Sequence, residues 1–249
     1  MWAKRVRKHV GGLVHMWLHD PIAREYRRQW SQSLKRSHNA LDDEWPWVTF
    51  GAFRWLEQHL RADMSVFEYG SGGSTVYFAK HVRRVVSVEH NGDWYERVSQ
   101  RLAECGATHC EYRLIRPEPI EYPPGYTSDA SAYRGLSFFN YVKAIDEYAD
   151  DRFDLIVVDG RSRCACVRHA IARVKAGGYL ILDNSDRSRY DAAHAAMGGY
   201  AVRHFYGLGP YRPTPWQTTV WQLTARQDDT ASHVAATQEE AQKCASAGT

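Results

Sequence analysis

The chain has 249 residues, 44% hydrophobic and 13% aromatic, enough for one α/β domain with terminal extensions. No apolar run reaches the roughly 18 residues that cross a bilayer, and the N-terminus lacks the apolar core and cleavage site of a secretory signal. Five cysteines without disulfide or zinc spacing read as reduced thiols in a cytoplasmic protein.

The net charge of +3 is unevenly spread, because residues 1–40 hold nine Lys or Arg against Asp20 and Glu25. That segment carries +7 and the remaining 209 residues carry −4. Within it Trp2, Val6, Val10, Leu13 and Trp17 recur at helical spacing up to Pro21, a basic amphipathic helix in an extension covering 1–44. Its apolar face can pack on the domain, pair with a second copy as a homodimer, or lie on an anionic membrane as a peripheral contact. The slightly acidic body argues against nucleic acid as a partner.

From residue 45 the chain alternates strands and helices. A helix is expected over 46–60, with Phe53, Leu56 and Leu60 on one face, then a strand at 65–69 and a helix at 74–81. Strand Arg84–Glu89 precedes a helix near 93–104, and a third strand follows near 110–115. The proline-rich segment 117–135 reads as an irregular insertion, followed by a helix at 137–148. Strands Phe153–Val158 and Tyr179–Leu182 are nearly all apolar, as in a parallel sheet buried on both faces. The run 199–223 reads as two strands joined by a Gly- and Pro-rich loop, and the tail 226–249 as disordered.

Glu68-Tyr69-Gly70-Ser71-Gly72-Gly73-Ser74-Thr75 joins the first strand to a helix. The dinucleotide fingerprint would put a third glycine at 75, and a P-loop would end in Lys beside Ser or Thr; neither occurs. The turn suits a nucleoside bearing an amine and a carboxylate better than a pyrophosphate. Glu68, Glu89, Asp159 and Asp183 all fall at strand ends, where the ligands of such sheets collect.

Over residues 45–225 the chain resembles the class I S-adenosylmethionine-dependent methyltransferases. Glu68-Tyr69-Gly70-Ser71-Gly72-Gly73, Glu89, Asp159 and the C-terminal strand pair carry the resemblance. It implies a Rossmann-like, seven-stranded, mostly parallel sheet with helices on both faces and an antiparallel last strand. It also implies that Gly70, Ser71, Gly72, Gly73, Ser74 and Asp159 hold S-adenosylmethionine, with Glu68 at its amino group, Glu89 at its ribose and His90 beside the adenine. Asp159 with Asp183 and Asn184 is similar to the Mg2+ site of the catechol-type O-methyltransferases, which would make Asp159 and Asp183 catalytic. That pattern has a lysine where Ser162 stands. Either a metal alone acidifies the acceptor, or His90, His194 or His204 is the base, or no metal binds.

A small-molecule or sugar acceptor, methylated on oxygen, would lie among Tyr122, Tyr126, Tyr133 and the loop 207–216, with Trp47 and Thr49 closing over the cofactor. A nicotinamide- or nucleotide-sugar-dependent enzyme and a non-catalytic cofactor binder are the other readings.

Overall fold

A computed structural model describes residues 2–119, 125–128 and 130–224, with side chains from Val10 onward. Tyr122, Cys244, the tail 226–249 and the side chains of Trp2 and Val6 lie outside the described residues. The chain opens with helices α1 (Trp2–His19), α2 (Pro21–Glu25), α3 (Arg27–Ser33) and α4 (Phe50–His59). There follow β1 (Ser65–Tyr69), α5 (Gly73–His81), β2 (Arg84–Glu89), α6 (Gly92–Glu104) and β3 (Cys110–Leu114). The expected insertion contributes a two-stranded ribbon, β4 (Glu118–Pro119) with β5 (Leu136–Ser137), and then α7 (Phe139–Lys143). The helix expected over 137–148 is shorter, because after α7 the chain tightens into a 3-10 turn, Ala144–Glu147. β6 (Phe153–Val158), α8 (Arg163–Ala170), β7 (Val174–Asp183), α9 (Asp191–Ala196), β8 (Ala201–Gly209) and β9 (Arg212–Gln222) complete the order.

The sheet runs β3-β2-β1-β6-β7-β9-β8. The first five strands are mutually parallel, and β9 is antiparallel to both β7 and β8. Alternation along the strands divides the core in two. Phe67, Tyr69, Ile156, Val158, Leu180 and Leu182 pack with α7 and α8 on one face. Val66, Val85, Leu155, Val157, Ile181 and Val220 pack with α4, α5 and α6 on the other. With both faces covered, the central strands have no solvent side to mark with polar residues, which explains their unbroken apolar runs. β1 sits where the connections turn from one side of the sheet to the other, so the crevice at its carboxyl end is the natural ligand position. The Gly- and Pro-rich loop expected over 207–216 is mostly strand; only Pro210 and Tyr211 turn between β8 and β9.

The N-terminal extension is sewn to that hairpin. Asp20 accepts the Ala23 amide at 2.8 Å to cap α2 and the Leu208 amide, also at 2.8 Å. Trp30 donates to the Arg212 carbonyl at 3.1 Å, and Tyr211 N–H to Ser33 at 2.9 Å. Met16, Ala23, Trp30, Phe50 and Leu208 close a small core beneath α1. Helix α1 packs through Gly12 and Met16 rather than through the face its spacing suggested: Val10, Leu13 and Trp17 are exposed. The helix meets a hairpin edge too close for large side chains, since a Cβ at Gly12 would lie 2.5 Å from the Pro213 carbonyl.

Candidate functional site

A cleft of about 630 Å³ opens at the carboxyl ends of β1, β2, β6 and β7. It brings together Gly70, Ser71, Glu89, His90, Asp159, Asp183 and Asn184 from the expected set. Glu68, Gly72, Gly73 and Ser74 do not line it.

The turn after β1 is shaped by close approaches. Gly70 has φ +89°, and a Cβ there would meet the Gly160 backbone at 2.7 Å, so two strand ends touch at this point. At Gly73 a Cβ would meet the Ala40 carbonyl oxygen at 1.8 Å. That glycine answers to the N-terminal segment packed over the helix start.

Glu68 is fully buried under the turn. Its Oε2 accepts from Thr75 Oγ1 at 2.5 Å and Ser87 Oγ at 2.7 Å, and Thr75 Oγ1 accepts the Gly72 amide at 2.9 Å. Glu68 therefore braces the turn from below and does not face the cleft as the resemblance implied. Burial pushes its carboxyl up to about 7, against the hydroxyls that hydrogen-bond it.

Glu89 ends β2 and is 3% exposed. Its Oε2 accepts the Ser71 amide at 3.1 Å and the Ser71 hydroxyl at 3.0 Å; its Oε1 accepts the His90 and Asn91 amides at 2.8 Å each. Burial disfavours the ionised form, but hydrogen bonds from His90 and Asn91 outweigh it and hold Glu89 below the usual carboxylate range. His90 is pinned between Glu89 Oε1, 2.8 Å from Nδ1, and the Tyr133 hydroxyl, 2.8 Å from Nε2. Trp94, in the first turn of α6, donates to the Ser71 carbonyl at 2.8 Å and lies beneath the Arg97 guanidinium. Trp94 and Arg97 line the cleft and were missed by sequence reasoning. The signal was a tryptophan five residues beyond the strand-end acid, where a helix start faces the crevice.

The opposite end of the cleft is built around Arg163, whose side chain is 9% exposed. Its Nε donates to the Gly160 carbonyl at 3.0 Å, Nη1 to the Asp183 carbonyl, and Nη2 to the Asp159 carbonyl at 2.7 Å. Nη2 also pairs with Asp159 Oδ1 at 2.6 Å. One guanidinium thus ties the ends of β6 and β7. Asp183 Oδ1 accepts from Trp216 Nε1 at 2.9 Å and Thr218 Oγ1 at 2.6 Å, and Oδ2 accepts from Asn184 Nδ2. Burial, then the neighbouring Asp159, push Asp183 up to about 7.

These residues do not fit a divalent cation. Asp183 spends its oxygens on Trp216, Thr218 and Asn184, Asn184 offers that contact its nitrogen, and Arg163 places a positive charge where the metal would sit. No cluster of three metal-ligating His, Cys, Asp or Glu exists among the described residues.

The histidines offered as bases fare differently. His90 lines the cleft, whereas His194 is bonded to the Ser185 carbonyl and His204 to Thr219. Ser162, in the lysine position of the catechol-type pattern, donates to the Thr127 carbonyl at 3.1 Å. Thr49 is fully buried and donates to the Phe205 carbonyl, so it caps no cofactor; Trp47, Tyr133 and Trp216 do line the cleft. Tyr126 packs against Phe139 and His169 instead.

No protein-family model matches the chain, and no curated relative does. Among solved structures it is similar to a precorrin-6y C5,15-methyltransferase from Geobacter metallireducens GS-15, with a TM-score of 0.50 and 13% identity over 70% of this chain and 87% of that one. An rRNA methylase from Streptococcus thermophilus gives a TM-score of 0.49 and 14% identity over 70% and 96%. A methyltransferase-like protein from Silicibacter pomeroyi DSS-3 gives 0.47 and 22% over 70% and 84%. The first of these shows a shared fold: the chain has the Rossmann-like α/β architecture found in methyltransferases.

Proposed function

We propose that the protein is an S-adenosylmethionine-dependent methyltransferase acting on a hydroxyl of a small-molecule or sugar acceptor. The observation that carries this is one cleft with a glycine turn and a low-pKa glutamate at one end and a carboxylate pair at the other. The glycine turn and Ser71 would receive the methionine part. Glu89 would accept the ribose hydroxyls; its oxygens are already taken up by four donors, so a diol would displace the Ser71 hydroxyl, which has Tyr112 as a second partner at 2.6 Å. His90 and Trp94 would flank the adenine.

The bound sulfonium supplies an already activated methyl group, so the protein's task is alignment and exclusion of water. Trp47 and Trp216 would wall the acceptor end of the cleft. Asp159, the half-exposed member of the pair, would take the hydroxyl proton of the acceptor when the methyl group is transferred. Arg163 holds that carboxylate in place.

Titration calorimetry with S-adenosylhomocysteine tests the reading. Wild type should bind, and Glu89→Ala should lose at least about tenfold in affinity, the scale of one charge-assisted hydrogen bond. Absence of wild-type binding would refute the proposal.

A further inference from the structure

Beside the acceptor end of the cleft lies a second cavity of about 420 Å³, sharing Gly160, Arg161, Arg163 and Arg187 with it. Arg189, Ser162, Thr127 and Ser128 complete its polar wall. Arg163 is neutralised by Asp159, but among the described residues neither Arg161 nor Arg187 has a carboxylate within ion-pair distance. Arg161 instead lies over the Tyr133 ring and reaches His90 at 3.4 Å. Cations left unpaired at the wall of a cavity are unusual unless an anion completes them, and guanidinium forks match carboxylate and phosphate. Among the described residues no acidic side chain lines this second chamber.

We infer that the second cavity binds an anionic group of the acceptor, a phosphate or a carboxylate, between Arg161 and Arg187. This rests on the methyltransferase reading for the word acceptor, but the anion site itself does not. An acceptor so held would have its hydroxyl at Asp159 and its charge one chamber away, which excludes neutral sugars and neutral phenols as good substrates.

The test is calorimetry with inorganic phosphate and with acetate, on wild type, Arg187→Gln and Arg187→Lys, with S-adenosylhomocysteine titrated in parallel. Wild type should bind one of the two anions, Arg187→Gln should lose at least about tenfold, and lysine should restore part of it. Tighter phosphate binding points to a phosphorylated acceptor, and tighter acetate binding to a carboxylate; either supports the inference. Failure of wild type to bind either anion, or equal binding by Arg187→Gln, overturns it. Retained S-adenosylhomocysteine affinity shows that the variant is folded. If wild type binds anion but not S-adenosylhomocysteine, the methyltransferase reading fails and the anion site stands.

An independent observation concerns α1. Val10, Leu13, Val14, Trp17 and Leu18 follow the i, i+3, i+4, i+7, i+8 pattern and are 38–69% exposed, a continuous apolar stripe turned away from the body. The helix contains Lys4, Arg5, Arg7 and Lys8 and no acidic residue. Arg24 stands over the Trp17 ring, and Arg27 and Arg28 are exposed on α3. An apolar stripe with a tryptophan, on a basic helix beside Arg24, Arg27 and Arg28, fits an anionic bilayer surface, and we propose that α1 docks there.

Flotation with phosphatidylcholine vesicles, with and without phosphatidylglycerol, should show binding to the anionic vesicles only. The Trp17→Glu/Leu18→Glu variant should lower it by at least about tenfold. Both residues are exposed, so the variant keeps its fold. Equal binding by wild type and variant, or a dimer in solution that the variant dissolves without any vesicle binding, overturns the proposal.

Discussion

Replacing Glu68 by glutamine separates a brace from a ligand. Folding moves this carboxyl from 4.5 to about 7 by burying it under the glycine turn. Between those values the native chain keeps a proton that the unfolded chain has released, so stability falls as pH rises and levels off above about 7. At roughly 1.4 kcal/mol per tenfold in the proton equilibrium, the step amounts to about 3 kcal/mol. Glutamine is neutral throughout and keeps the shape, with Thr75 and Ser87 still able to hydrogen-bond it. Urea unfolding of both proteins from about pH 5 to pH 8.5 should therefore show wild type losing about 3 kcal/mol relative to Glu68→Gln. A difference constant across that window would refute the buried-brace account. S-adenosylhomocysteine affinity at about pH 6 supplies the second readout. A brace leaves it within about threefold, whereas a loss beyond about tenfold would give Glu68 the direct amino-group contact.

Four further outcomes follow from the acceptor end. With an acceptor in hand, kcat/KM should climb with pH through a value above the usual aspartate range, because burial raises Asp159 and the proton-accepting form is the ionised one. Asp159→Asn should abolish turnover while S-adenosylhomocysteine still binds, and a pH profile that levels off within the ordinary aspartate range would contradict the assignment. Arg163→Met leaves Asp159 and three strand-end carbonyls without their donor, and thermal or urea unfolding should register a loss of about 3–5 kcal/mol. Because the oxygens of Asp183 are spent on protein donors, treatment with a chelator should leave the rate unchanged; a rate that falls and is restored by Mg2+ would reverse that conclusion.

Much of the fold was legible because it rests on short-range rules. Continuous apolar runs at 65–69, 84–89, 153–158 and 179–182 could satisfy both faces of a parallel sheet, and strand-end acids marked the crevice edge. Glu89 was readable for the same reason: its position at the end of β2 follows from local pattern alone. Glu68 shows the limit of that logic, since period-two alternation says which face a side chain takes but not what covers that face. Thr75 and Ser87, brought over it by α5 and β2, made it a brace. The metal reading failed on the contacts of Trp216 and Thr218 with the Asp183 carboxylate, which no spacing rule connects. Helix α1 shows the limit from the other side, because its periodicity located a stripe without saying whether the body or the solvent would receive it.

The sequence by itself determined the alternation of strands and helices, the glycine turn and the acids at the strand ends, since backbone sterics and local burial patterns suffice for these. Tertiary structure alone decided that Arg163 ties the end of β6 to the end of β7, that Arg161 and Arg187 face a chamber with no counter-charge among its described lining residues, and that α1 turns its apolar stripe outward. Charge neutralisation and burial depend on which distant segments meet, and that is set only when the sheet has closed its order and the N-terminal helices have docked on its last hairpin.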